Sequence, residues 1–150
     1  MATAFITHPD CLKHEMGRGH PEQPARLTAI EDQLVASGIE GRLRRYEAPL
    51  ATDEQLARVH PIEYLRAIRD AAPESGLAHL DPDTAMNPHS LNAALRGAGA
   101  GVLAVDLVFS KEITAAFCNV PSNAPSRSTM CNLWAPCDCH RSAAFTGSSS

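Results

Sequence analysis

The chain has no run approaching the ~20 consecutive apolar residues needed to cross a bilayer. Its opening, MATAFITHPD, carries neither a basic stretch nor an apolar signal core. Neither a membrane partner nor secretion is expected, and the chain reads as cytoplasmic. Positive charge is not in excess either. Thirteen Lys and Arg stand against 17 Asp and Glu, a net charge of −4, so no cation array is present to hold a nucleic-acid backbone. The one basic run, GRLRRY at 41–46, reads as a solvated strand face. The even, spread cysteine framework of a small secreted domain is missing too. There are five cysteines, four of them between Cys118 and Cys139, which suits reduced thiols.

Two catalytic signatures are also absent. No Gly-x-Ser-x-Gly elbow occurs, and Cys11 or Cys118 paired with a distant histidine is too weak a pattern to read as a nucleophile. The glycine run GAGAG at 97–101 falls inside a helical period, not at a strand-to-helix turn. It therefore reads as a site of close packing and not as a phosphate cradle.

What is present is ordinary for a globular domain: 150 residues, 44% apolar and 20% charged, enough to bury about 70% of the unfolded surface. Phe5 and Ile6 mark a first strand. From Pro21, Leu27, Ile30 and Leu34 share one helical face, with Pro24 at the start and Gly38 where a left-handed C-terminal cap would sit. Arg42–Ala48 reads as a second strand. Thr52 and Gln55 have capping-box spacing, so a short helix starts there. Pro61 then breaks the chain before a second helix, in which Ile62, Leu65, Ile68 and Ala72 share a face.

The stretch 76–90 is rich in turn residues and reads as a structured loop. Asn87-Pro88 suits the N-cap and first position of a helix running to about Phe109, with Leu91, Leu95, Ala98, Val102, Val105 and Phe109 on a broad apolar face. Ile113–Val120 reads as a buried strand. Strand, helix, strand, helices, strand implies an open α/β sheet with parallel neighbours.

Two polar clusters invite a metal. His8, Asp10, His14, Glu15, His20 and Glu22 crowd a loop, but no helical i, i+4 pair forms and they read as surface residues. Cys131, Cys137, Cys139 and His140 follow the pattern Cys-x5-Cys-x-Cys-His, which lacks the paired spacing of structural zinc sites. Neither cluster is expected to hold a metal.

Three blocks, GHPEQPARLTAI, VHPIEYLRAI and LDPDTAMNPHSLNAALRGAGAGVLAVDLVF, resemble in content and order the N-terminal part of the zinc-dependent histone deacetylase family. The bacterial deacetylase-like and acetylpolyamine amidohydrolase branch is the nearest flavour. The resemblance implies an arginase/deacetylase-type fold, an open and mainly parallel sheet flanked by helices, here incomplete and followed by an irregular C-terminal tail. It implies hydrolysis of an acetyl amide, on acetyl-lysine or an acetylpolyamine, by metal-activated water with paired histidines moving protons.

Residue by residue, Arg26 matches an arginine that lines the internal cavity beneath the metal and is associated with acetate release. Asp81 and Asp83 lie in the part that resembles the channel rim. Apart from the resemblance, Arg26 reads as a surface arginine near a helix start and both aspartates as turn formers.

The resemblance also implies an Arg-Pro-Pro-Gly-His-His segment after AAFCNV. The sequence instead continues PSNAPSRSTMCNLWAPC, with no adjacent histidines. Residues 1–120 are therefore expected to be the N-terminal part of a deacetylase-like domain. Residues 121–150 are expected to be an unmatched tail produced by a shifted frame, a sequence error or gene decay. On that reading the chain has no catalytic or metal-binding residue of its own, binds no zinc, is inactive, and exposes a sheet edge prone to self-association. The alternative is a non-catalytic module whose rim loops hold acylated ligands or a partner subunit.

Overall fold

The structure, a computed structural model, describes residues 2–121. The cysteine and histidine group at 131–140 and the tail from residue 122 lie outside the described residues. Strand β1, Thr3–Thr7, is followed by a 3-10 turn at Pro9–Lys13 and by helix α1, Pro24–Ala36. Strand β2, Leu43–Glu47, leads to helices α2, Asp53–Ala57, and α3, Ile62–Asp70. Strands β3, Ala78–Asp81, and β4, Thr84–Met86, precede the long helix α4, Ser90–Phe109, and strand β5, Ala115–Cys118.

The main sheet has the order β2-β1-β5, with both pairings parallel and Phe5 opposite Arg45 on one side and Phe117 on the other. This is the open parallel sheet expected from the alternation of elements. Side chains alternate across β1. Ala4 and Ile6 face a core shared with Ala48, Ala100, Leu107 and Ile113. Phe5 turns to the opposite face, with the Phe117 ring at 6.0 Å and the Arg45 guanidinium 5.0 Å from its ring centre. Apart from Phe5, the basic face of β2 is solvated as anticipated: Arg44, Arg45 and Glu47 are exposed.

Local signals set the helix ends. Thr52 Oγ1 accepts from the Gln55 amide and Gln55 returns a bond to the Thr52 amide, a complete capping box. Gly38 has φ +69° just past the C-cap of α1, a conformation that side chains with a Cβ rarely adopt. Pro61 separates α2 from α3. Leu65 is buried in α3, but Ile62 lies exposed at its start.

Several expectations change. The stretch read as a loop contains an antiparallel hairpin in which Asp81 pairs with Thr84 across the two-residue turn Pro82-Asp83. Its strands are too short to show a period between turn residues, yet Thr84, Ala85 and Met86 are all buried. Helix α4 begins at Ser90, two residues later than Pro88. Asn87 still serves the start, because its Oδ1 accepts the His89 amide at 3.0 Å.

The buried face of α4 is also not the one of large apolar residues. Ala93, Gly97, Gly99, Ala100 and Leu107 are buried, while Val105 is exposed and Phe109 is 82% exposed. Small residues win because the 48–51 segment lies directly on the helix. The Ala51 amide donates to Leu95 O, and a Cβ on Gly99 would overlap the Pro49 carbonyl. By length and composition alone α4 could cross a membrane, contrary to the reading that no such run exists. Here it packs on the sheet, with Arg96 bonded to Ala48 O at 2.8 Å. Finally, β5 is not buried: it is an edge among the described residues, with Phe117 47% exposed.

Candidate functional site

Open parallel sheets place their sites beyond the carboxyl ends of the strands. Here those ends are locked together. The Ala48 amide donates to Thr7 O at 2.9 Å, the Asn119 amide to Ile6 O at 2.8 Å, and Thr7 Oγ1 to Asn119 O at 3.0 Å. Asn119 is buried and reaches back through Nδ2 to Leu27 O at 3.1 Å, which fixes the first turn of α1 against the end of β5.

Arg26 stands at that junction. Its Nη2 donates to Glu22 Oε1 at 2.6 Å and to Val120 O at 2.9 Å, and its Nε to Glu22 Oε1 at 3.2 Å. Glu22 is buried and orients the guanidinium, whose side chain is 33% exposed. Beside it, Ala29, Ile30, Gln33, Leu34 and Phe117 line an apolar depression.

The loop before Arg26 connects it to the hairpin. His20 Nδ1 accepts the Glu22 amide at 3.0 Å, and its Nε2 lies 3.5 Å from Asp83 Oδ1. Asp83 therefore faces the loop with a largely exposed carboxylate. Asp81 Oδ1 accepts the Asp83 amide at 2.8 Å, an Asx turn of the kind its neighbours predict. Asp81 also borders a second depression with Tyr64, Ile68 and Leu80. The structure thus links Arg26 to Asp83 through Glu22 and His20, and places Asp81 on the α3 side of the hairpin.

The polar loop at 8–22 is solvated only in part: Glu15 is exposed as expected, but His14 and Glu22 are buried. His14 is 1% exposed, with Nδ1 2.7 Å from Ser90 Oγ. Asn87 Nδ2 donates to Lys13 O at 2.8 Å. Asp10 accepts from Lys13 Nζ and Asn92 Nδ2, both at 2.8 Å, with Arg96 Nε at 3.4 Å. The Lys13 bond, opposed by burial and aided by Asn92, lowers the Asp10 pKa to about 2. Sequence reasoning missed Ser90, Asn87 and Asn119 as partners because each reaches residues some 75 to 90 positions away, whereas the Glu22–Arg26 pair is a local i, i+4 contact that went unread. For the three distant partners the only local trace was the Asn87-Pro88 start signal.

Among the described residues, neither cysteine is an activated nucleophile. Burial raises the Cys11 thiol to about 11 and pushes the Cys118 thiol up as well, so neither supplies thiolate near neutrality. Among the described residues no three His, Cys, Asp or Glu side chains converge as a metal centre requires. The described residues therefore do not fit a resident zinc.

Comparison with known proteins agrees with the geometry. The profile of the histone deacetylase domain matches residues 20–126. A histone deacetylase-like amidohydrolase of Pseudomonas aeruginosa is 35% identical over 132 residues, covering 77% of this chain and 34% of the relative. A probable deacetylase of Archaeoglobus fulgidus is 34% identical, covering 78% of this chain and 33% of the relative. The human polyamine deacetylase HDAC10 is 31% identical, covering 73% and 18%. Among solved structures, the HDA15 HD domain superposes with a TM-score of 0.72 at 28% identity, over 79% of this chain and 35% of that one. The chain spans about a third or less of the length of these relatives. With the histone deacetylase domain profile matching residues 20–126 and relatives 34–35% identical over more than three quarters of the chain, this chain belongs to the histone deacetylase family.

Proposed function

We propose that the chain supplies the product-channel and rim portion of a deacetylase acting on acetyl amides, and that these 150 residues do not hydrolyse the amide by themselves. The observation that carries this reading is the setting of Arg26. Nε and Nη2 are committed to Glu22 and Val120, which leaves Nη1 as the donor nitrogen for a small carboxylate such as acetate. The apolar depression beside it suits the methyl group of an acyl fragment.

At the rim, the exposed Asp83 carboxylate can accept from the N–H groups of an acetylated amine, whether a lysine side chain or a polyamine. Asp81, turned toward α3, is the weaker candidate. Hydrolysis needs a polarising cation and histidines to move protons. The seven histidines of the sequence include no adjacent pair, so the zinc chemistry of the family is assigned to parts these residues do not provide.

Titrating acetate into the labelled chain tests the first half of this reading. Shifts are expected at the Arg26 Nε–H and the Val120 amide, and Arg26→Lys is expected to abolish the Val120 shift. Acetate shifts that ignore Arg26 would defeat it. A second reading, a stand-alone binding module for acylated ligands or a partner subunit, is favoured by the intact His20–Asp83 contact. It requires saturable binding of N-acetylputrescine or an acetyl-lysine peptide to the chain alone, lost in Asp83→Asn.

A further inference from the structure

His14 is fully buried, and the protons around it can be assigned by counting. The Asn87 amide can only donate, and it meets Ser90 Oγ at 2.8 Å. Asn87 Nδ2 donates to Lys13 O, which turns Oδ1 toward Ser90 Oγ, 3.0 Å away. If the hydroxyl proton goes to Oδ1, His14 Nδ1 must carry its own proton and donate to Oγ. All three contacts are then hydrogen bonds. The other tautomer would leave Oγ and Oδ1 facing each other without a proton, and would bury an N–H at Nε2 where no partner lies.

Nε2 is therefore a bare lone pair in the interior. A second proton there would bury a charge and a donor with nothing to receive it. Around the ring, Glu22 at the foot of α1 and Glu15 on the same loop favour that proton, while His20 opposes it. Burial outweighs them and holds the pKa below its ordinary 6.5. From the α4 side, the groups that meet the ring and its partner are the neutral Ser90 and Asn87.

Lys13 and His14 are thus both tied to the start of α4. The next residues form the loop that carries His20 to Asp83 and Glu22 to Arg26. We propose that His14 is a positioning residue and an acid-released pin: its neutral, Nδ1-protonated ring locks this loop, and a proton on Nε2 frees it, loosening Arg26 and Asp83 together. The pin concerns loop order and holds whatever Arg26 binds.

The test uses the full 150-residue chain, labelled at the imidazole nitrogens and followed from about pH 7.5 to about pH 4.5, the range in which histidines change charge. At neutral pH, Nδ1 is expected to carry the proton and Nε2 none. As His14 protonates, the amides of residues 15–20 and 22 are expected to lose about tenfold or more of their exchange protection, and the Arg26 Nε–H and Asp83 amide signals to move in the same step.

His14→Gln retains a donor for Ser90 but takes no proton, so it is expected to keep the protection and remove the step. A proton found on Nε2 at neutral pH, titration of His14 with the loop unmoved, or a step that persists in His14→Gln each overturns the pin. If His14→Gln does not fold, the tautomer and the coupled step in the unmodified chain decide.

Discussion

Arg26 and Val120, 94 positions apart, are joined by one hydrogen bond, from Nη2 to the backbone carbonyl at 2.9 Å. The same Nη2 holds the buried Glu22, so one guanidinium ties the first turn of α1 to the end of β5. Lysine has no planar fork and cannot serve both partners in this geometry. Arg26→Lys is expected to lower stability by about 1–3 kcal/mol, the range for disturbing a buried polar group's bonding. The urea midpoint should fall while the m-value holds. An unchanged midpoint would show that the clasp contributes nothing.

Two glycines of α4 separate packing from propensity. At Gly99 a Cβ would overlap the Pro49 carbonyl, whereas at Gly101 nothing lies within 4 Å. Gly99→Ala is expected to cost about 1–3 kcal/mol by overpacking. Gly101→Ala should stabilise by about 0.5–1 kcal/mol through helix propensity. Thermal unfolding of the two variants, made side by side, checks both signs.

These glycines also show where the sequence was legible. The capping box at Thr52, the break at Pro61 and the left-handed Gly38 are local events, written within four or five residues, and the structure has each where expected. The open parallel sheet followed from the alternation of elements. The face of α4 did not, because hydropathy ranks Val105 and Phe109 above Ala93 and Gly97, although the close approach of the 48–51 segment admits only small residues. The hairpin was hidden because strands of three or four residues between Asp and Pro turns have no readable period. At the site, the resemblance pointed to Arg26, and Glu22 pairs with it at a local i, i+4 spacing, while the roles of His14, Asn87 and Ser90 emerge only when segments some 75 residues apart meet.

Acid should weaken the fold in two windows. His14 has a lowered pKa, so as pH falls below its ordinary 6.5 the unfolded chain takes up a proton that the folded chain refuses. Stability then declines from about that pH until the folded pKa is passed. The Asp10 pKa falls from 3.8 to about 2, so its contribution is complete above 3.8 and lost as pH drops through about 2. In denaturation measured against pH, His14→Gln should flatten the upper window and Asp10→Asn the lower. A stability curve flat from pH 6.5 downward would contradict the His14 assignment.

Among the described residues β5 is an edge strand whose four residues, Ala115–Cys118, include no charge or proline, and Phe117 is 47% exposed on it. Such an edge pairs with other chains. Self-association is expected to rise with concentration in sedimentation velocity, and Phe117→Lys to reduce it. If the lysine variant associates as strongly as the original, the contact lies elsewhere; the exposed Val105, Val108 and Phe109 of α4 would be examined next.

The most direct measurement is made on the purified 150-residue chain supplied with zinc: metal content per chain, and acetate released from an acetyl-lysine peptide and from N-acetylputrescine. The expected result is no stoichiometric zinc and no acetate above the uncatalysed background. About one zinc per chain together with sustained acetate release, both abolished by a chelator, would contradict the assignment of this chain to a holding rather than a hydrolysing part.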